Sequence, residues 1–246
     1  FMKGQGRGPE DSKYIEYRCN VILGFHRLAI NGLNDISNQP ISISNITLIC
    51  NGEIYNYKEL YASMSITPQT GSDCEVIIHS YLKYGIEQTL TMLDGVFSFI
   101  LLDTNNKENP LLYVARDPYG VRPLYIMETN IVDHYRKYQT IGFASELKCL
   151  HNFFNGGKGY RIQHFTPGTY SLFNFINCDW YHTYNKKYII PTFSYTMYNV
   201  SFNEYSQNIY SMLVNAVNKR CLTTERPIAC LLSGGLDSSL IAALVC

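Results

Sequence analysis

The stretch VFSFILLDTNNKENPLLYVAR, residues 96–116, sets the character of the larger part of this sequence. Val96 to Asp103 and Leu111 to Arg116 are apolar runs with β-branched and aromatic residues, and Thr104-Asn105-Asn106-Lys107-Glu108-Asn109 between them is polar. Two such runs joined by a polar loop predict a β-hairpin. Outward from it the pattern repeats. Cys19–Ile30 and Ile43–Ile54 are apolar runs separated by the polar cluster Asn31–Pro40, and further strands are expected at Val121–Ile126, Thr140–Ala144, Gly159–His164 and Gly168–Phe173. Helices are few. Asn56-Tyr57-Lys58-Glu59 has the form of a capping box and opens a short helix to about Met64. Val76, Ile77, Leu82 and Tyr84 can share the apolar face of a second helix that Gly85 stops. Many short strands with few helices predict two packed sheets with flanking helices, an α+β sandwich, rather than a doubly wound alternation.

Beyond this region the periodicity changes. From about Phe175 to Phe202 it fades into Asn, Tyr and Lys with Pro191, which reads as a linker, placed at 186–202 between a first domain at 1–185 and a second that opens at 203. Tyr205, Ile209, Met212, Leu213, Ala216 and Val217 recur at helical spacing, so Asn203 to about Arg220 is expected to be an amphipathic helix. Pro227 to Leu232 reads as a short buried strand, Ser233-Gly234-Gly235-Leu236-Asp237-Ser238-Ser239 as a turn, and Leu240–Val245 as helix. One strand and one helix cannot bury their own apolar faces, so 203–246 is expected to be the opening of a larger α/β domain.

Composition narrows the classes. The 246 residues are 46% hydrophobic, and 20 Lys and Arg balance 20 Asp and Glu. Such a chain packs rather than staying disordered, and zero net charge gives no electrostatic pull toward nucleic acid or an anionic membrane. No apolar run approaches a bilayer span, and Phe1 to Asp11 is polar and Gly-rich, unlike a signal peptide. The eight cysteines form no C-x-x-C pair and no zinc spacing. Reduced, mostly structural thiols imply a cytoplasmic protein.

Strand, Gly-rich turn and helix in that order aim free backbone N–H groups and a helix N-terminus at one point, which suits phosphate. Gly234 and Gly235 permit close backbone approach, and Ser233, Ser238 and Ser239 add hydroxyl donors. The Lys of a Walker loop is missing. SGGLDSS instead resembles the PP-loop of the ATP pyrophosphatases. The resemblance implies ATP and pyrophosphate contacts at Leu232, Ser233, Gly234, Gly235, Asp237 and Ser238, with Asp237 acting through a Mg²⁺ held by the pyrophosphate.

In the first region, Phe25-His26-Arg27-Leu28-Ala29-Ile30, Asn51-Gly52-Glu53-Ile54-Tyr55-Asn56 and Gly71-Ser72-Asp73 resemble the class II glutamine amidotransferases. So do Ala115-Arg116-Asp117-Pro118-Tyr119-Gly120-Val121-Arg122-Pro123-Leu124-Tyr125, Phe143-Ala144-Ser145-Glu146-Leu147-Lys148 and Arg7-Gly8-Pro9-Glu10, the last with Glu where the family has Asp. Together with SGGLDSS, the resemblance narrows to the glutamine-hydrolysing asparagine synthetases. It implies an N-terminal-nucleophile (Ntn) hydrolase-like sandwich followed by a PP-loop domain. It places the glutamine carboxylate on Arg27, a guanidinium suited to bidentate grip, and the ammonium on Asp73. The oxyanion falls to the Asn51 side chain and Gly52 N–H. Glu53 and the backbone from Leu28 through Ala29 and Ile30 to Asn31 line the rest of the pocket.

Read singly, these residues have plainer roles. Arg27 can be a surface charge at a strand end, Asn51-Gly52 a hairpin turn and Asp73 a helix N-cap. Arg116 to Tyr125 reads as scaffold. The family's nucleophile is an N-terminal cysteine. Here R-G-P-E already stands at Arg7, so that cysteine is expected outside this chain, and none of the eight cysteines is at the N-terminus. The chain alone is therefore expected to be inactive. The implied partners are glutamine, aspartate and ATP, with a homodimer as the implied assembly. The alternatives are a non-catalytic pseudo-amidotransferase that binds glutamine or a partner domain, and a β-lactam-synthetase-like relative acting on another carboxylate.

Overall fold

A computed structural model describes residues 1–129, 140–151, 160–189 and 201–246. The chain divides into two compact units, Phe1–Ile190 and Pro191–Cys246.

The first unit is built on antiparallel sheets. β1 (Asp11–Tyr17) and β2 (Val21–Arg27) form a hairpin. β3 (Ile41–Ile43), β4 (Ile46–Ile54), β5 (Gly95–Asp103), β6 (Leu111–Arg116), β10 (Thr169–Ile176) and β11 (Asp179–Lys187) make a six-stranded sheet in the order β11-β10-β6-β5-β4-β3. β7 (Tyr125–Thr129) lies between β8 (Ile141–Ala144) and β9 (Tyr160–His164) in a three-stranded sheet. The helices are α1 (Tyr57–Met64), α2 (Val76–Met92) and the short α3 (Leu147–Leu150).

Strand alternation sends side chains to two cores. On one face Ile46, Leu48 and Cys50 of β4 and Phe97, Phe99 and Leu101 of β5 pack with Ile77, Ile78 and Leu90 of α2 and Leu60 of α1. On the other, Leu102, Leu112, Val114 and Phe173 pack with Leu23 of the hairpin, Ile126 of β7 and Phe165. The six-stranded sheet is thus covered by helices on one side and by the two smaller sheets on the other. Truncating a buried ring such as Phe97 would cost about 3–5 kcal/mol.

The 96–116 hairpin forms as expected, with Ser98 opposite Arg116 and Asp103 opposite Leu111. Several expectations need correction. The segment after Val121 is not strand until Tyr125, because the Asp117 carboxylate accepts the amides of Tyr119, Val121 and Arg122 and folds the segment into a turn. Gly85, non-helical at φ +77°, stops the helix as expected, and a second helical stretch of α2 follows across the kink; Leu82 and Tyr84, however, point outward rather than lining its buried face. The capping box does not close; the Asn56 side chain bonds Met92 O and Asp94 N at the far end of α2 instead. β11 runs where the periodicity fades. It is a sheet-edge strand with mostly exposed side chains, so it leaves no apolar alternation to read. Of the expected linker, residues 190–200 lie outside the described residues.

The second unit contains α4 (Phe202–Leu222) and α5 (Leu236–Val245). Ser201 caps α4 by accepting from Glu204 N. Pro227–Leu232 is neither strand nor buried, with Leu231 97% exposed. A strand needs a neighbour for its backbone groups, and the described residues of this unit hold no other. Among the described residues no helix is long and apolar enough to cross a membrane.

Candidate active site

Three segments of the first unit meet around a cavity of about 150 Å³: the end of β2 with the loop after it, the second half of β4, and the turn at 72–74. Its lining includes Arg27, Leu28, Ala29, Ile30, Asn31, Asn51, Gly52 and Asp73. Glu53 is not among the lining residues; it forms an ion pair with Arg122, which is, at 2.8 Å.

The β2 segment is held by residues that sequence reasoning gave no role. Glu10 N donates to Arg27 O, and the Glu10 carboxylate accepts from Ala29 N at 2.8 Å. Gly8 is required here, since a Cβ would lie 2.2 Å from His26 O. Arg27 is buried, which excludes the surface-charge alternative. Its Nη1 donates to Asn34 O and Asn38 Oδ1, and its Nη2 to Asn31 O and Gly32 O, so the guanidinium gathers the 28–38 loop around itself.

Asn51 and Gly52 sit mid-strand in β4, opposite Ser98 and Phe97 of β5, so the hairpin-turn alternative fails. A Cβ at Gly52 would meet Val96 O at 2.3 Å, which explains the glycine. The Asn51 amide donates to Ser145 Oγ at 3.2 Å, and Gln39 clamps the preceding residue by accepting from Cys50 N and donating to Cys50 O. Ser145 and Gln39 were missed as positioning residues. Ser145 stands in a quoted motif and carried a readable signal, whereas Gln39 carried none.

Asp73 is 5% exposed, and its Oδ2 accepts from Ile54 N at 2.7 Å. Ser72, not Asp73, caps the turn by accepting from Cys74 N. Burial raises the Asp73 pKa to about 6, against the lowering effect of the Ile54 N–H and the Asn31 side chain. Fully buried Glu75 holds the approach to this turn, accepting from Gln69 N, Thr70 N and His79 Nε2 at 2.8, 2.6 and 2.9 Å. Burial and the neighbouring Cys50 and Asp73 push the Cys74 thiol well up, Cys50 most of all.

The glutamine amidotransferase domain model matches residues 2–187, three quarters of the chain. The chain belongs to the glutamine amidotransferase domain family. Residues 208–245 match the asparagine synthase model. The chain is 37% identical over 262 residues to the asparagine synthetase [glutamine-hydrolyzing] of Gallus gallus, covering 99% of this chain and 44% of that protein. The human protein of the same name is 36% identical, and so is a probable asparagine synthetase [glutamine-hydrolyzing] of Acanthamoeba polyphaga mimivirus; each match covers 98% of this chain and 44% of the relative. The chain thus spans a little under half the length of the curated relatives it matches.

In the amidotransferase unit, the segment after β6 is scaffold built from charges. Buried Arg116 donates to the carbonyls of Gly120, Arg122 and Phe165, and buried Asp117 collects amides of the same turn. In the second unit, the hydroxyl of Ser233 ahead of α5 and that of Ser238 in its first turn are 2.9 Å apart, and Gly234 takes φ +84°. The first helical bond there is Ser239 N to Gly235 O, which leaves the N–H groups of the opening turn of α5 unpaired within the helix. Asp237 is exposed in that turn.

Proposed function

We propose that the cavity binds glutamine and that the intact protein uses the ammonia released there to amidate aspartate at the expense of ATP. The observation that supports this most is the gathering of Arg27, Asn31, Asn51, Gly52 and Asp73 around one small cavity. A zwitterion with an amide tail needs a cation, an anion and oxyanion donors in one place, and these residue types supply them.

In this reading the Asp73 carboxylate takes the α-ammonium in a site where charge pairing is little screened. Arg27 takes the α-carboxylate. Its terminal nitrogens now serve neutral acceptors, and an ionised acceptor makes bonds roughly twice as strong, so substrate displaces part of the loop from Arg27. Asn51, steadied by Ser145, and Gly52 N–H receive the negative charge that develops on the amide oxygen under attack by the family's N-terminal cysteine thiolate. The fold that goes with this reading is the Ntn-hydrolase-like sandwich.

The second unit is read as the start of a PP-loop domain that takes ATP as a substrate, contacted through Leu232, Ser233, Gly234, Gly235, Asp237 and Ser238. The unpaired N–H groups of α5 and the two close hydroxyls fit phosphate oxygens. Asp237 is the one carboxylate in the loop, so a Mg²⁺ there would be shared with phosphate oxygens rather than caged by this segment. The magnesium, when bound, neutralises charge on the departing pyrophosphate.

The test gives the intact protein aspartate and Mg-ATP and follows pyrophosphate, AMP and asparagine with glutamine or ammonium as nitrogen donor. Asparagine formed with either donor is expected. Turnover with ammonium alone would refute the glutamine site, and no turnover with either would refute the reaction.

A further inference from the structure

Two walls of the cavity meet at a point behind it. Gly32, in the loop after β2, takes φ +63°; a Cβ there would lie 2.5 Å from Gly71 C, and one on Gly71 would lie 2.7 Å from Gly32 Cα. The two backbones therefore touch. Fully buried Ser37 fastens them. Its Oγ accepts from Gly71 N at 2.9 Å and donates to Asn34 Oδ1 at 2.6 Å, and Arg27 Nη1 donates to Asn34 O at 3.1 Å. On the other side, Thr70 Oγ1 accepts from Ser72 N at 3.1 Å, and Asp73 comes next in the chain. The Arg27 guanidinium and the Asp73 carboxyl are thus joined across this contact.

Glu75 holds the Gly71 side of the joint. It stands where a carboxylate ordinarily accepts the free N–H groups that open a helix, yet its side chain makes no cap bond to α2. Its oxygens turn back to Gln69 N, Thr70 N and His79 Nε2 instead. The residue is completely buried, which is costly for a carboxylate unless fixed partners satisfy it. Glu75 and Ser37 are not among the residues lining the cavity.

We infer that Glu75 is a positioning residue for the amino-acid site: by holding residues 69–71 against Ser37 and Gly32, it sets the span between Asp73 and Arg27. The α-ammonium and α-carboxylate of an amino acid sit on one carbon, so their two binders admit little change in spacing. A misplacement of about 1 Å is worth on the order of 100-fold. The inference rests on the glutamine reading above and adds to it a residue outside the cavity that governs how well glutamine is held.

The test uses the intact protein with Glu75→Gln and Ser37→Ala, which break opposite sides of the joint. Gln keeps the shape of Glu75 but sets its own N–H against one of the amides. The KM for glutamine is expected to rise by about 10- to 100-fold in both variants, while kcat at saturating glutamine and the ammonium-driven rate stay within about threefold. The preference for glutamine over its des-amino analogue as a competitor should shrink by a similar factor, because Arg27 keeps its end of the ligand while Asp73 is displaced. Native-state hydrogen exchange gives a reading without substrate. Glu75→Gln should speed exchange of the amides at 28–38, a loop to which Glu75 makes no hydrogen bond. An unchanged KM in both variants overturns the proposal. So does an equal loss of affinity for glutamine and the des-amino analogue, and so does faster exchange confined to residues 66–76; either marks a local structural role. Should Glu75→Gln not fold, Ser37→Ala decides by the same KM and competitor readings. A wild type that hydrolyses glutamine beside variants that match it fails this inference alone, whereas a wild type that neither binds nor hydrolyses glutamine fails the functional reading first and takes this inference with it.

Discussion

Asp73→Asn is expected to stabilise the ligand-free protein while abolishing its response to glutamine. The Asp73 carboxyl is 5% exposed, and burial lifts its pKa from the ordinary 3.8 to about 6. The folded protein therefore holds the Asp73 proton more tightly than the unfolded chain does. The sign of the linkage follows: below pH 3.8 the group is protonated in both states and costs nothing, stability falls as pH rises from 3.8 to about 6, and above that the full cost of a buried charge is present. That gap is worth about 3 kcal/mol at neutral pH. Asparagine is nearly isosteric, keeps an acceptor for Ile54 N–H and carries no charge, so about 3 kcal/mol is the upper bound on the gain. In a unit of this size it corresponds to about 6–12 °C in Tm. Thermal unfolding of both proteins at pH 7.5 and pH 5, with and without glutamine, checks this. The difference should be largest at pH 7.5 and shrink toward pH 5, and glutamine should raise the Tm of the wild type only. A variant no more stable than wild type at pH 7.5, or an advantage that ignores pH, would refute the reasoning.

Ser145→Ala removes the acceptor of the Asn51 amide; kcat for glutamine should fall by about 3- to 10-fold with the ammonium-driven rate unchanged, read by steady-state kinetics. Arg116→Met leaves three loop carbonyls without their donor, and the urea midpoint should report a loss of about 3 kcal/mol or more. Iodoacetamide on the native protein should label exposed Cys178, Cys230 and Cys246 first and Cys74 last, more than about tenfold slower, since Cys74 is buried and its thiol pKa is pushed well up. Mass spectrometry of the peptides decides it, and equal rates for Cys74 and Cys178 would contradict the packing around Cys50.

Legibility in the sequence followed burial. The strands at 96–116 and 43–54 could be read because one face of each is mostly buried and the apolar pattern is dense. β11 could not, because a sheet-edge strand with exposed faces has no pattern to impose. The turn before β7 carried the signals Pro118, Gly120 at φ +65° and Pro123, but the Asp117 carboxylate that collects three of its amides gave no local pattern. The expected strand at 227–232 carries the apolar run of a buried strand, but burial requires a partner that the described residues of its unit do not provide. At the cavity, the lining residues came from motif resemblance. Glu10, Gln39 and Glu75, which hold those residues in place, act on backbone groups of distant segments, and no local pattern announces such bonds.

Two buried Arg and Asp sets in this unit are made of the same residue types and differ in one respect. Arg116 and Asp117 are satisfied by the turn they organise, through three carbonyls on one side and a set of amides on the other. Arg27 and Asp73 are arranged otherwise. Asp73 keeps a raised pKa despite its hydrogen bond from Ile54, Asn31 beside it has neither side-chain atom partnered among the described residues, and Arg27 spends its terminal donors on neutral acceptors. In the proposed reading, the substrate brings an ammonium to Asp73 and a carboxylate to Arg27. Under that reading this cavity prefers an α-amino acid to a neutral amide of the same length, whereas the Arg116 and Asp117 cluster holds a loop.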